Sequence, residues 1–288
     1  MLTTIQPSGL IEQRERVLAR LAAAKAVYVP MQHTGAVVSV DNLGNTEYFP
    51  ASNALLGTIA TPANLWLTPG YISPASAATV GAKYPPTGTF DRDFQEQYTG
   101  LDTLLPGERI VVAINFSYTA APAGDAYLWD TASGDSTYGG YGVHVTSSNN
   151  IHLKYREAGG GTEYDLCSTT ISAGAHSVLI DIARTDDLCA VSLWLDGGLA
   201  NSDILLGLGI NANLTGALAL THPGKGLAIG GRAVTSAIQT PFSNAANAKF
   251  GNFLFVRSSE LSAVDVARIA MDHTLGLGEL SPALDKVL

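Results

Sequence analysis

The sequence predicts an all-β protein: an antiparallel β-sandwich with an amphipathic helix at its N-terminus and a short helix near its C-terminus. Three observations carry that expectation. After Gly107, short apolar runs recur at roughly 8–12 residue spacing with turn residues between them. Within those runs the alternation is clean: Val178, Ile180 and Ile182 share one face, as do Val191, Leu193 and Leu195, while Ser192 and Trp194 face the other way. A helical period, by contrast, is found near the two ends of the chain.

Residues 8–27 form the first organised stretch. Ser8 can cap it, Leu10, Ile11, Val17, Leu18 and Leu21 recur at helical spacing, and Glu12, Glu15, Arg16 and Arg20 fill the positions between. The helix is expected to stop before Val27-Tyr28-Val29-Pro30. An isolated helix of this length is marginal in water, so the stripe Leu10, Val17, Leu18 and Leu21 must be buried. It either packs on its own domain or, the reading favoured from sequence, acts as an assembly arm on a partner. Residues 1–30 are therefore assigned to a helical arm.

Residues 31–106 are rich in Pro, Gly, Thr, Ser and Ala, with short strand candidates at Ala36–Val40 and Asn64–Leu67 between turn signals. Phe90–Thr99 suits a loop or a short helix. Whether this region joins the sandwich is left open by the sequence.

Strands are then expected at Arg109–Ser117, Ala126–Trp129, Tyr141–Thr146, Ile151–Glu157, Thr162–Ser168, Ala175–Ile182, Cys189–Asp196, Gly226–Ile229 and Lys249–Val256. One register can be specified. Pairing Val145 with Ile151 turns Val143, Val145, Ile151 and Leu153 inward and sets His144 opposite His152, with Lys154 and Arg156 on the same outer face. Arg184-Thr185-Asp186-Asp187 suits a tight hairpin. A helix follows at Ser262–His273, opened by a Ser262-x-x-Asp265 capping pattern, and the tail from 274 to 288 is expected on the surface.

Composition narrows the function classes. The chain has 288 residues, Lys+Arg 16 against Asp+Glu 25 and a net charge of −9, with no basic block, so no nucleic-acid footprint is present. Charged residues are 14%, below the roughly 25% of ordinary domains, which suits a surface covered in an assembly. No run approaches the ~18 apolar residues of a spanning helix, so no membrane insertion is expected. No secretory leader pattern is visible, and the two cysteines, Cys167 and Cys189, match no metal spacing; free buried thiols are expected, in keeping with folding in a cytoplasm.

The stretch SVLIDIARTDDLCAVSLWLDGG resembles paired strands of the concanavalin A-like, laminin-G-like superfamily, ending in that family's W-x-D-G turn at Trp194–Gly197. Leu227-Ala228-Ile229-Gly230-Gly231-Arg232 is similar to its L-x-I-G-G strand and turn. Phe250–Arg257 is similar to its closing strand, and Ser259–Asp265 to the start of the helix that follows. The order and spacing agree over residues 107–273. The resemblance implies a jelly roll of two stacked antiparallel sheets, with ligands on a concave face or at rim loops. That sandwich hosts lectins, glycosidases and structural modules, so the fold leaves the role open.

Glycosidases of this superfamily carry Glu-x-Asp-x-Glu on one strand face, since retaining hydrolysis needs two carboxyls ~5–5.5 Å apart. The nearest match is Glu163-Tyr164-Asp165-Leu166-Cys167, where Cys167 replaces the second Glu, so the expectation is that the chain is not an enzyme. No Gly-x-Ser-x-Gly elbow or phosphate loop is present, and Gly159-Gly160-Gly161 reads as a turn. No cofactor is expected, with Ca²⁺ the one alternative: Asp125, Asp130 and Asp135 can supply oxygen ligands, although solvated turn aspartates are the reading favoured from sequence. Among the aromatics in or near the sandwich, Trp129, Tyr138, Tyr141 and Trp194 are the candidates to stack on a sugar, Tyr155 and Tyr164 being further ones.

For a laminin-G-like module in which no secretory leader is expected, one resolution is release by cell lysis, which is how bacteriophage virion proteins leave the cytoplasm. The expected role is a non-enzymatic virion structural protein, a minor capsid or head decoration part displaying a lectin-like sandwich. Its partners would be other virion proteins, a homo-oligomeric copy of itself and a host-surface glycan. A tail receptor-binding protein and a free carbohydrate-binding lectin module are the alternatives.

Overall fold

The computed structural model describes residues 7–30, 39–45, 52–54, 59–64, 70–74, 78–79, 104–131, 140–156, 163–185, 188–204, 227–233, 238–239, 242, 245 and 248–286. The chain opens with helix α1 (Pro7–Ala23), followed by β1 (Lys25–Val29), β2 (Ser39–Asp41), β3 (Ser52–Ala54), β4 (Ile59–Asn64), β5 (Gly70–Pro74) and β6 (Ala78–Thr79). Next come β7 (Arg109–Tyr118), β8 (Ala126–Asp130), β9 (Gly140–Val145), β10 (Asn150–Arg156), β11 (Glu163–Thr170), β12 (Gly174–Thr185) and β13 (Leu188–Leu195). The remainder is β14 (Gly198–Ile204), β15 (Ala228–Ile229), β16 (Arg232–Ala233), β17 (Ile238–Gln239), β18 (Lys249–Ser258), helix α2 (Ala263–Thr274) and 3₁₀ turns at Gly278–Leu280 and Leu284–Lys286.

The expected antiparallel sandwich is what forms. An eight-stranded sheet runs β14-β13-β12-β7-β18-β5-β4, with β1 also on β18, and a six-stranded sheet runs β11-β10-β9-β8-β15-β6. Strand alternation decides what lies between them. Val112, Ile114, Val178, Ile180, Val191, Leu193 and Phe255 from the larger sheet meet Val143, Val145, Ile151, Leu153 and Ile229 from the smaller one, all fully buried. Both free thiols, Cys167 and Cys189, are buried in this layer.

The specified register is observed: Val145 lies opposite Ile151 and His144 opposite His152. The hairpin after β12 closes with Thr185 opposite Leu188. The next hairpin turns at Asp196 (φ 51°) and Gly197 (φ 83°), two consecutive left-handed residues, the geometry a two-residue antiparallel turn requires. Asp196 reinforces it by accepting hydrogen bonds from Ser177 N (2.8 Å) and from His176 Nδ1 (2.9 Å).

A second apolar layer covers the outer face of the larger sheet. Ala26, Tyr28, Val111, Ala113, Leu179, Leu254 and Val256 point outward from that sheet and are buried by Val17 and Leu21 of α1 and by Val266, Ile269 and Ala270 of α2. Ser262 and Asp265 form the expected reciprocal cap of α2. The tail belongs to this layer too: Leu284 is fully buried, Asp285 pairs with Arg16 (3.2 Å), and Lys286 pairs with Asp265 (2.8 Å).

In the N-terminal segment the helix stops before Val27 as expected, and the assignment of residues 1–30 to a helical arm is corrected. The helix ends at Ala23, and the residues after it form β1 of the larger sheet, since Lys25-Ala26-Val27-Tyr28-Val29 alternates between both apolar layers. The assembly-arm stripe is buried at home: Val17 and Leu21 are inaccessible and Leu18 packs against the same layer, leaving Leu10 and its neighbour Ile11 exposed. A sheet face needed cover, and the nearest amphipathic helix supplies it. In residues 31–106, β4 and β5 extend the larger sheet and β6 the smaller. Phe90–Thr99 and Gly159–Gly161 lie outside the described residues.

Candidate functional site

The outer face of the smaller sheet is the opposite case, for no described helix covers it and its side chains are polar. Strand alternation builds it. With Tyr141, Val143 and Val145 turned inward, β9 presents Gly140, Gly142 and His144 outward, and β10 presents His152, Lys154 and Arg156. Arg156 faces Glu163 across the β10–β11 pair, and Lys154 faces Asp165.

Arg232 ties this face together from the start of β16. Its Nε donates to Asp130 (3.1 Å), its Nη1 donates to Glu163 (3.0 Å), and its guanidinium lies over the Tyr127 ring at 4.6 Å. Asp130 reaches it across Gly142, where an added Cβ would stand 2.5 Å from Asp130 Oδ1 and 2.8 Å from the Trp129 carbonyl. Glu163 also accepts from Arg156 Nε (3.0 Å), and Lys154 Nζ stands 3.6 Å away. Burial works to raise the Glu163 pKa, and the Arg156 hydrogen bond with the Arg232 and Arg156 charges overrides it, holding the carboxyl down to about 2.

From Arg232 an aromatic ladder crosses the sheet. Tyr127 stacks on His144 (4.9 Å, 25°), which stacks on His152 (5.3 Å, 16°), and His152 Nδ1 lies 3.3 Å from Asp165. His144 is fully buried, with Asp125 3.8 Å from its Nε2, and burial followed by the Lys154 and His152 charges pushes its pKa down to about 3. The accessible part of the face is the strip His152, Lys154, Glu163 and Asp165, with Asp165 the most open at 55%.

The strand carrying the glycosidase-like pattern builds no acid–nucleophile pair among the described residues. Glu163 is an ionised carboxylate locked by cations, which cannot lend a proton near neutrality. Cys167 is buried, and that burial, with Asp203 nearby, pushes its thiol up to about 11, so it is no thiolate.

Several sequence-derived candidates are placed elsewhere. Trp129 and Tyr141 are fully buried against each other edge-to-face between the sheets, which removes both as sugar platforms; a bulge between Tyr127 and Trp129 turns the indole inward. Trp194 packs on the helix-covered layer. Tyr155 is also core, and Tyr164 stacks on it. Asp130 is engaged by the Arg232 guanidinium, Asp125 lies beside His144, and Tyr138 and Asp135 fall outside the described residues. Among the described residues no group of three or more His, Cys, Asp or Glu is arranged to hold a metal ion, so the Ca²⁺ reading gains no cluster. Sequence reasoning missed Arg232 and Tyr127. The signal available was the outward row His152, Lys154, Arg156 beside Glu163 and Asp165, but Arg232 is 102 residues from Asp130 and nothing local links them.

No family model matches this sequence, and neither does any curated protein. Solved structures do resemble it. A Trypanosoma rangeli sialidase in complex with 2,3-difluoro-KDN superimposes with a TM-score of 0.50 at 9% identity over 93% of this chain, and this chain spans 39% of that enzyme's length. The same enzyme with sialic acid gives 0.50 at 10% identity, over 93% of this chain and 38% of that one. A Ruminococcus gnavus IT-sialidase CBM40 bound to α2,3-sialyllactose reaches 0.41 at 12% identity, over 68% of this chain and 96% of the module. At these identities the sialidase likeness shows the fold alone, and the CBM40 score is too low to argue from.

Proposed function

We propose that the chain is a non-enzymatic, lectin-like β-sandwich serving as an accessory part of a bacteriophage particle, with head decoration its most fitting position. The single observation behind this reading is the difference between the two outer faces. The larger sheet is sealed by α1, α2 and the tail, and those helices turn Ile11, Val264 and Met271 outward, the kind of surface that packs on a neighbouring protein. The smaller sheet turns a rigid, ion-paired polar strip outward, the kind of surface that meets hydroxyl-rich ligands such as a host-surface glycan. The particle itself rests on composition: 14% charged residues and two buried free thiols with no bridge.

The test is immunogold labelling of particles from the producing strain's lysate with antibody to the recombinant chain. Gold on phage heads is the expected result, and gold on tails would favour the receptor-binding alternative. Unlabelled particles beside antigen free in solution would overturn the virion reading. Binding on a glycan panel that weakens in Lys154→Ala would then establish the free lectin in its place.

A further inference from the structure

Two polar ties between α2 and the larger sheet converge on one residue. Asn115 Nδ2 of β7 donates to the His273 carbonyl (3.0 Å), and Ser177 Oγ of β12 lies 3.2 Å from His273 Nδ1. The imidazole is fully buried, its Nε2 has no hydrogen-bond partner among the described residues, and Gly278 lies against it, where an added Cβ would stand 3.4 Å from Cδ2.

We propose that His273 is an acid-sensitive latch, whose protonation releases α2 and the tail from the larger sheet while the sandwich itself stays folded. The groups seen against the ring, Ser177 and Gly278, carry no charge, and neither does Asn115 at the His273 carbonyl. The described titratable side chains on the elements packed against it are engaged elsewhere. On α2, Asp272 pairs with Arg268 and Asp265 with Lys286; on β12, His176 pairs with Asp196, Asp181 with Arg109 of β7, and Arg184 with the Leu104 carbonyl. Tyr118 of β7 bonds Asn149, Asp203 of β14 lies by Cys167, and the 3₁₀ turn carries Glu279 at its centre.

Among the described side chains an imidazolium at this position has no counter-charge, and burial holds the ring's pKa down to about 3 from the ordinary 6.5. Below 6.5 the opened helix takes up a proton that the docked helix refuses. The opening equilibrium therefore rises about tenfold for each pH unit until about 3. Opening uncovers Val111, Ala113, Leu179 and Leu254, an apolar strip of the sheet's outer face.

The experiment is amide hydrogen exchange of the full chain, resolved by peptide, between pH 7.5 and 4.5 and corrected for the intrinsic rate. Peptides of α2 are expected to lose protection about tenfold per unit below ~6.5, while β7, β12 and β13, which exchange only through global unfolding, stay better protected at every pH, and the local loss is expected to vanish in His273→Gln. Should that variant fail to fold, the wild-type peptides decide alone. Protection in α2 that is flat with pH, or that equals that of the strands at every pH, overturns the latch, and so does a folded His273→Gln with an undiminished local loss in α2.

Discussion

The two outer faces of this sandwich solve one problem in opposite ways. Each sheet has one side in the shared core, and its other side must be covered or made polar. On the larger sheet the outward positions of β1, β7, β12 and β18 are apolar, so the sequence needs α1 and α2, and burial of Val17, Leu21, Val266 and Ile269 supplies the stabilisation. On the smaller sheet the outward positions are Gly, His, Lys, Arg and Glu, and stabilisation comes from geometry: Arg232 bridging Asp130 and Glu163 over a glycine floor. The lesson is that a covered face tolerates changes that keep it apolar, whereas a face held by buried ion pairs is sensitive to the loss of a single charge.

The largest effect that can break this comparison is expected at Arg232. Its replacement by Ala takes the guanidinium from the buried Asp130 carboxylate and is expected to cost about 3–5 kcal/mol in urea unfolding. Replacing the pair together, Arg232→Met with Asp130→Asn, is expected to recover most of that. If Arg232→Ala proves neutral, the charged face is not what the ion pairs hold.

On the covered face, Ile269→Ala is expected to cost about 2–4 kcal/mol, with Ile269→Leu well below that, because only apolar volume is at stake there. Equal losses in both variants would mean that shape, not cover, governs this layer.

Acid should weaken both faces, in a set order. His144 and His273 have folded pKa values near 3 against an ordinary 6.5, so the unfolded chain binds more protons between those values. Stability is full above pH 6.5 and falls by about 1.4 kcal/mol per unit for each imidazole as pH drops toward 3. Glu163, held at about 2 against 4.5, adds its loss only below pH 4.5. Urea midpoints measured across pH 7 to 3 check the order, and stability constant down to pH 4.5 would contradict the buried neutral imidazoles. The smallest effect is expected at the exposed tie of the tail, where Asp285→Asn should cost less than about 1 kcal/mol and vanish in high salt.

How far the sequence could be read depends on the range of the interactions involved. The β9–β10 register was legible because alternation over neighbouring residues fixes it: Val145 with Ile151 buries one row and leaves His144 and His152 outside. The capping box of α2 was legible for the same reason, lying within Ser262–Asp265. The destination of the α1 stripe was not, because amphipathicity shows that Val17 and Leu21 must be buried without showing against what. Trp129 was misplaced as a ligand platform because a bulge reverses the alternation at that point. The candidate site was legible in its β10 and β11 rows only. Arg232 joins it through a fold-wide return of the chain that no local pattern announces.

The difference between the faces is tested most directly by carboxyl footprinting with a carbodiimide, read by mass spectrometry on the free chain and on lysate particles. In the free chain Glu12, Glu15 and Asp165 all stand exposed and should be labelled. On particles, Asp165 should keep its labelling while Glu12 and Glu15 of α1 lose theirs, placing the helix-covered face against the particle and the polar strip outward. Labelling of Asp165 lost while the helix carboxylates stay reactive would reverse that orientation and contradict the account.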